Sequence, residues 1–182
     1  MQASRRVPLG TAHPARLFWS VAAAIFISDQ VTKHLIRTGR APGESSVLIP
    51  GLLDLTHVRN AGAAFGLFPG RQPLFIATSA VVMVVIVAYW RRARPREWPI
   101  VLAMGSIAAG AIGNLTDRIT LGLVTDFLAF SFVDFPVFNI ADMGIVLGVG
   151  ILVLWLLFGP EPGHVADPVT SDTHEPEEGL SR

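Results

Sequence analysis

The pattern of apolar and polar positions divides the chain into four long hydrophobic stretches, Leu17 to Ile36, Pro73 to Trp90, Trp98 to Thr116 and Val137 to Phe158. Each is about as long as the roughly 20 residues a helix needs to cross a bilayer core. Lipid offers no partners to backbone N–H and C=O groups, so such stretches predict α-helices, which satisfy those groups internally. Between the first two, Pro42, Gly43, Pro50 and Gly51 punctuate a different region. There Leu53, Leu55 and His57 alternate with Leu52, Asp54, Thr56 and Val58, predicting a strand or an interfacial segment. After a turn at Gly122, the loop from Thr120 to Pro136 carries Val124, Phe127, Phe130, Phe132, Val133 and Phe135, a composition that predicts extended structure at the membrane interface. The expected fold class is an all-α membrane protein. It is a four-transmembrane-helix bundle over residues 17–158, with spans at about 17–36, 73–90, 98–116 and 137–158 and a small extracytoplasmic β-like or interfacial region.

Composition narrows the class. With 51% hydrophobic and 15% charged residues in 182, and a mean hydropathy of +0.52, one membrane domain fits better than a soluble multidomain protein. The net charge is zero and no long basic run occurs, which excludes the electrostatic footprint of a nucleic-acid binder. The absence of cysteine excludes disulfides, thiolate nucleophiles and thiolate metal sites.

Charge also sets the expected orientation. Arg91, Arg92, Arg94 and Arg96 crowd the linker between the second and third stretches, and Arg5, Arg6 and Arg16 precede the first. The positive-inside rule places both on the cytoplasmic side, with both termini inside. Residues 1–16 read as a disordered cytoplasmic lead, and 159–182, with six acids and one arginine, as a disordered acidic cytoplasmic tail. A cleaved signal peptide built on Arg5, Arg6 and Leu17 to Ile27 is the rival reading of the N-terminus. The apolar run, however, continues past Ala24 and then carries Asp29 and Lys33, which favours an uncleaved first helix.

With this topology the polar residues sort to one membrane face. Asp29 and Lys33 end the first helix, Asn60 and Gly62 precede the second, Asn114, Asp117 and Arg118 end the third, and Asn139 and Asp142 begin the fourth. Asp29 and Lys33, four apart, read equally as an intrahelical ion pair with a snorkelling lysine and as support for a site. Asp117 reads as a partner of Arg118. The small residues of the third helix, and Gly144 and Gly148 of the fourth, read as packing surfaces. His34 and His57 lack any nucleophile motif or ligand spacing, so neither a Ser/His/Asp set nor a metal site is expected. Carboxylates remain. Two aspartates at close quarters share a proton, so that one can deprotonate water while the other protonates a leaving amine. The residues alone leave Asp126 and Asp134, each followed by phenylalanine, as equal candidates to partner Asp142.

Five motifs, taken in order, resemble the lipoprotein signal peptidase (signal peptidase II) family. They are Asp29-Gln30-Val31-Thr32-Lys33, Asn60 to Gly66, Gly113 to Arg118, Val124-Thr125-Asp126-Phe127 and Phe138 to Asp142. Ala61 departs from the threonine often found there. The resemblance implies an aspartic endopeptidase of the bacterial inner membrane that removes the signal peptide of diacylglyceryl-modified prolipoproteins just before the lipidated cysteine. It implies Asp126 and Asp142 as the catalytic pair, and Asp29, Lys33, Asn60, Gly62, Asn114, Arg118 and Asn139 as supporting or substrate-positioning residues. The expected enzyme is a monomer with no cofactor or metal, acting at the extracytoplasmic face among membrane lipids. A proton-coupled transporter or a non-enzymatic assembly protein is the alternative; the former predicts polar residues in mid-membrane, and the second helix carries no charge.

Overall fold

The computed structural model describes residues 10, 13–62 and 72–159. The expected disordered tail, most of the lead, and Ala63 to Gly66 of the second motif lie outside the described residues. Four helices and three strands follow in the order α1 (Pro14–Gly39), β1 (Ser45–Ile49), β2 (Leu53–Asn60), α2 (Gln72–Ala93), α3 (Trp98–Leu121), β3 (Val124–Phe130) and α4 (Ile140–Phe158). Among the described residues, α2, α3 and α4 are long and apolar enough to cross a membrane. α1 falls outside that criterion. Its buried face carries Phe18, Ala22, Asp29, Lys33 and Ile36, while Ile27, Val31 and Leu35 point outward one turn apart.

Helix ends follow local chemistry. α1 begins at Pro14, inside the stretch expected to be a lead, because proline is pre-set for the first helical turn. α3 ends where Gly122 turns left-handed at φ 76°, a conformation costly for a side chain with Cβ, and β3 follows at once. α4 starts at Ile140 rather than near Val137, because Asn139 caps it. The Asn139 side chain accepts from the Asp142 N–H, and the Asp142 carboxylate accepts from the Asn139 N–H.

α3 is the central helix, with α1, α4 and α2 packed around it. Glycines permit this. A Cβ on Gly110 would overlap the Ala141 carbonyl oxygen, and one on Gly105 would stand 2.9 Å from the Phe18 carbonyl oxygen. The outer faces remain apolar: Val81, Val84 and Val85 of α2 and Leu154, Leu156 and Leu157 of α4 are all exposed. A bundle hydrophobic on its outside as well as at its contacts is built for lipid.

The region expected to be β-like is a regular antiparallel sheet of order β1-β2-β3. β3 lies within the stretch expected to be extended, Thr120 to Pro136, and supplies the third strand of that sheet. β2 pairs with β3 so that Val58 faces Asp126 and Asn60 faces Val124. On its other side β3 makes one bridge, Leu128 with Phe138, which pins the chain just before α4.

The two ends of the bundle differ. At one, Phe18, Ile86, Val101, Met104 and Ala108 form a dry cluster. At the other, where α1 and α3 finish and α4 begins, Ile36, Val124, Phe127 and Ala141 are buried beside a polar set: Asp29, Lys33, Asn114, Asp117, Thr125, Asp126 and Asn139.

Candidate active site

Asp126 is the third residue of β3 and is 2% exposed. Its neighbours Thr125 and Phe127 are buried against the helices, whereas Asp126, Leu128 and Phe130, two apart, line a cavity. One aspect of the strand thus builds the core and the other the site.

Three asparagines hold the carboxylates, and each has only one consistent amide orientation. Asn60 accepts the Gly62 N–H on Oδ1 at 2.9 Å, so its Nδ2 faces Asp126 Oδ2, at 2.8 Å. Asn139 spends Oδ1 on the Asp142 N–H, and its Nδ2 donates to Asp126 Oδ1 at 2.6 Å and Asn114 Oδ1 at 3.0 Å. Asn114 accepts from Lys33 as well as Asn139 on Oδ1, and its Nδ2 donates to Asp142 Oδ1 at 2.7 Å. The remaining oxygen, Asp142 Oδ2, accepts the Asn139 N–H at 3.1 Å. Asn139 therefore touches both aspartates, and every carboxylate oxygen receives one N–H while keeping a lone pair for another partner.

Burial raises the Asp126 pKa to about 7, with the neighbouring Asp142 adding to the rise and hydrogen bonds from Asn60 and Asn139, with the Lys33 charge, opposing it. A carboxyl that titrates near neutrality can hold or release a proton at little cost.

Both aspartates line a cavity of about 580 Å³. Asn60, Gly62, Asn114 and Arg118 complete its polar end; Leu53, Leu128, Phe130, Phe138, Met143 and Leu147 give the rest an apolar wall. Arg118 has a long bond to the Asn114 carbonyl, at 3.5 Å, and its guanidinium lies over the Phe75 ring, 5.0 Å from its centre.

A profile of the signal peptidase (SPase) II family of A8 peptidases matches residues 21–158. The chain belongs to that family. The lipoprotein signal peptidase of Brevibacillus brevis is 44% identical over 137 residues, which are 75% of this chain and 92% of that one. The lipoprotein signal peptidase of Desulfitobacterium hafniense is 42% identical over 141 residues, 78% of this chain and 93% of that protein. A bacterial membrane enzyme solved by the in meso method at 2.3 Å resolution superposes with a TM-score of 0.76 at 31% identity, covering 84% of this chain and 93% of its own. Another, at 1.9 Å, gives 0.74 at 30% identity, covering 85% of this chain and all of its own.

In this member of the family, the residues singled out from sequence converge. Asn60, Gly62, Asn114, Arg118, Asp126 and Asp142 meet at the cavity, with Asn139 between the aspartates. Asp29 and Lys33 lie behind them, both fully buried. Asp134, the rival to Asp126, is exposed and off the cavity wall.

Two expectations change. Lys33 does not snorkel; it bonds Asp29 at 2.9 Å and lies 3.4 Å from Asp117. Asp117 takes its cations from α1, Lys33 and Arg37, rather than from Arg118. Its Oδ2 also accepts the Thr125 N–H at 3.0 Å. Arg37, which additionally reaches Thr125 Oγ1 at 3.3 Å, was missed although it follows Lys33 by one helical turn on the same face. Phe75 and Gln72, whose side-chain amide caps the Arg118 carbonyl, carried no sequence signal, since α2 reads as a plain apolar span.

Proposed function

We propose that Asp126 and Asp142 are the catalytic dyad of this peptidase, and that it cleaves diacylglyceryl-modified prolipoproteins just before the lipidated cysteine. One observation carries the reading: two carboxylates, joined through Asn139 and each held by N–H donors on both oxygens, face one cavity that is polar only at their end. Near neutrality such a pair shares one proton and titrates as a unit. The ionised member takes a proton from water as the hydroxyl attacks the scissile carbonyl; the protonated member then gives its proton to the departing amine. Arg118 and Asn60, at the same cavity end, are placed to donate to the carbonyl oxygen where negative charge develops. The apolar wall suits the hydrophobic signal segment and the acyl chains.

The same reading takes all four helices as spans, with α1 crossing by its outward Ile27, Val31 and Leu35 face. Both termini then lie in the cytoplasm, with the arginine-rich turn between α2 and α3, and the dyad lies at the extracytoplasmic face of the bacterial inner membrane, where water can reach it. All four carboxylate oxygens of the dyad find donors within one chain, so a monomer suffices for the site. A proton-coupled transporter is not favoured, because among the described residues the buried ionisable groups gather at one end, and Ser106, the buried polar residue further down α3, spends its hydroxyl on the Leu102 carbonyl.

The decisive experiment uses purified enzyme and a diacylglyceryl-modified precursor. Asp126→Asn and Asp142→Asn should each lower cleavage by about a thousandfold or more, since each removes one half of the proton relay. Near-normal cleavage by either variant would sink the dyad.

A further inference from the structure

Lys33 is a buried lysine that the mechanism above does not use. Its side chain is 0% exposed and it is absent from the cavity wall. Three oxygens surround Nζ: Asp29 Oδ2 at 2.9 Å, Asn114 Oδ1 at 3.0 Å and Asp117 Oδ2 at 3.4 Å. Arg37 adds a second cation on Asp117 at 3.4 Å, so two acids and two bases form a neutral cluster between α1 and α3.

Each member is tied to a backbone or side chain that holds the proposed dyad. The Lys33 and Asn139 bonds to Asn114 Oδ1 together fix which way that amide points, leaving its Nδ2 for Asp142, and the same Asn139 amide nitrogen bonds Asp126. Asp117 grips the N–H of Thr125, the residue before Asp126 in β3. Asp29 grips the N–H of Ala141, the residue before Asp142 in α4, at 2.9 Å. The two carboxylates of the cluster thus seat the backbone one residue ahead of the two aspartates. Without the lysine, Asn114 Oδ1 keeps only the Asn139 donor, and the amide that aims the Asp142 carboxylate is held less firmly.

We propose that Lys33 is a positioning residue for catalysis: acting through Asn114, it sets the orientation of the two aspartates, and with Asp29 and Asp117 it forms the buried frame on which their strand and helix are seated. This rests on the dyad reading. Lys33 touches neither the cavity nor the reacting atoms, so its loss acts on turnover rather than on substrate binding.

A simple structural role and a positioning role separate in a pair of variants. Lys33→Met alone leaves buried acid uncompensated, so it lowers both the melting temperature and kcat. Asp29→Asn combined with Lys33→Met removes one negative and one positive charge together, leaving the Asp117–Arg37 pair, and the amide oxygen introduced at position 29 can still accept the Ala141 N–H. In detergent-purified enzyme with the diacylglyceryl-modified precursor, the double variant should recover most of the lost melting temperature. Its kcat should stay about 100-fold down with KM within about threefold of wild type, as expected when reacting groups are misplaced.

Recovery of wild-type kcat by the double variant would overturn the proposal, as would a change confined to KM. A double variant that no longer folds would overturn it equally, by making the cluster a folding element. Asp126→Asn measured alongside separates the two levels. An active Asp126→Asn enzyme defeats the dyad, whereas an inactive one beside a fully active double variant defeats only the role of Lys33.

Discussion

Asp126 illustrates how residue chemistry is set by what surrounds it. On an exposed loop its carboxyl would titrate near 3.8; buried beside Asp142 it titrates near 7. The folded pKa lies above the unfolded one, so the stability that its protonation contributes is fully present below the unfolded value. It is lost as pH rises through the folded value, over roughly pH 4 to 7. Asparagine carries no such charge. The stability difference, Asp126→Asn minus wild type, should therefore become more positive between pH 4 and pH 8, by an amount on the order of 2–4 kcal/mol. A difference that stays flat with pH, followed by thermal unfolding in detergent, would refute the raised pKa. Asn114 and Asn139 were visible in the sequence as polar residues at helix ends, and Asn60 as one that precedes the second helix. Their division of labour was not, because the way an amide points is decided by partners distant in sequence, such as Lys33 for Asn114.

At the scale of elements, α3 sets the geometry of the site. Its glycines bring α4 close enough for the first turn of α4 to present Asp142 to Asn114. Gly110 sits where a Cβ would overlap the Ala141 carbonyl oxygen and stand 2.7 Å from Ile145 Cγ1. Backbone cannot yield as a side-chain tip can, so Gly110→Ala should push the start of α4 away, costing about 1–3 kcal/mol of stability. Activity should fall at least about tenfold, because Asp142 moves with that turn. Gly150→Ala is the control, with nothing within 4 Å of its added carbon, and should leave activity unchanged and stability the same or up to about 1 kcal/mol higher. Equal loss in the two variants, by thermal unfolding and cleavage assay, would contradict the close-packing account. The small-residue surface of α3 was legible in sequence as a packing face. Its target, the turn carrying Asp142, depended on which helix lay against it.

For the whole molecule, the contrast between a dry end and a polar end accords with a chain that passes back and forth across a membrane and keeps its chemistry at one surface. The cysteine-free sequence permits a direct test of the proposed orientation. A cysteine at Ser45, exposed in β1, should react with a membrane-impermeant maleimide added to intact spheroplasts. One at Arg92, exposed at the end of α2, should react only after permeabilisation. The reverse pattern would invert the topology and place the proposed dyad in the cytoplasm.

The sequence by itself determined the helices, their approximate limits, the family and the set of polar residues that gather at one end. Those properties follow from local rules: the length of apolar runs, the spacing of side chains on a helix, and motifs read in order. Only the tertiary structure decided that β3 pairs with β2 and turns Asp126 to the cavity, that Asp117 serves α1 and Thr125 rather than Arg118, and that Lys33 is sealed behind Asn114. The physical reason is common to all three. A buried polar group takes whichever partner its desolvated surroundings bring within hydrogen-bonding distance, and here those partners lie on other elements, up to 112 positions away in sequence.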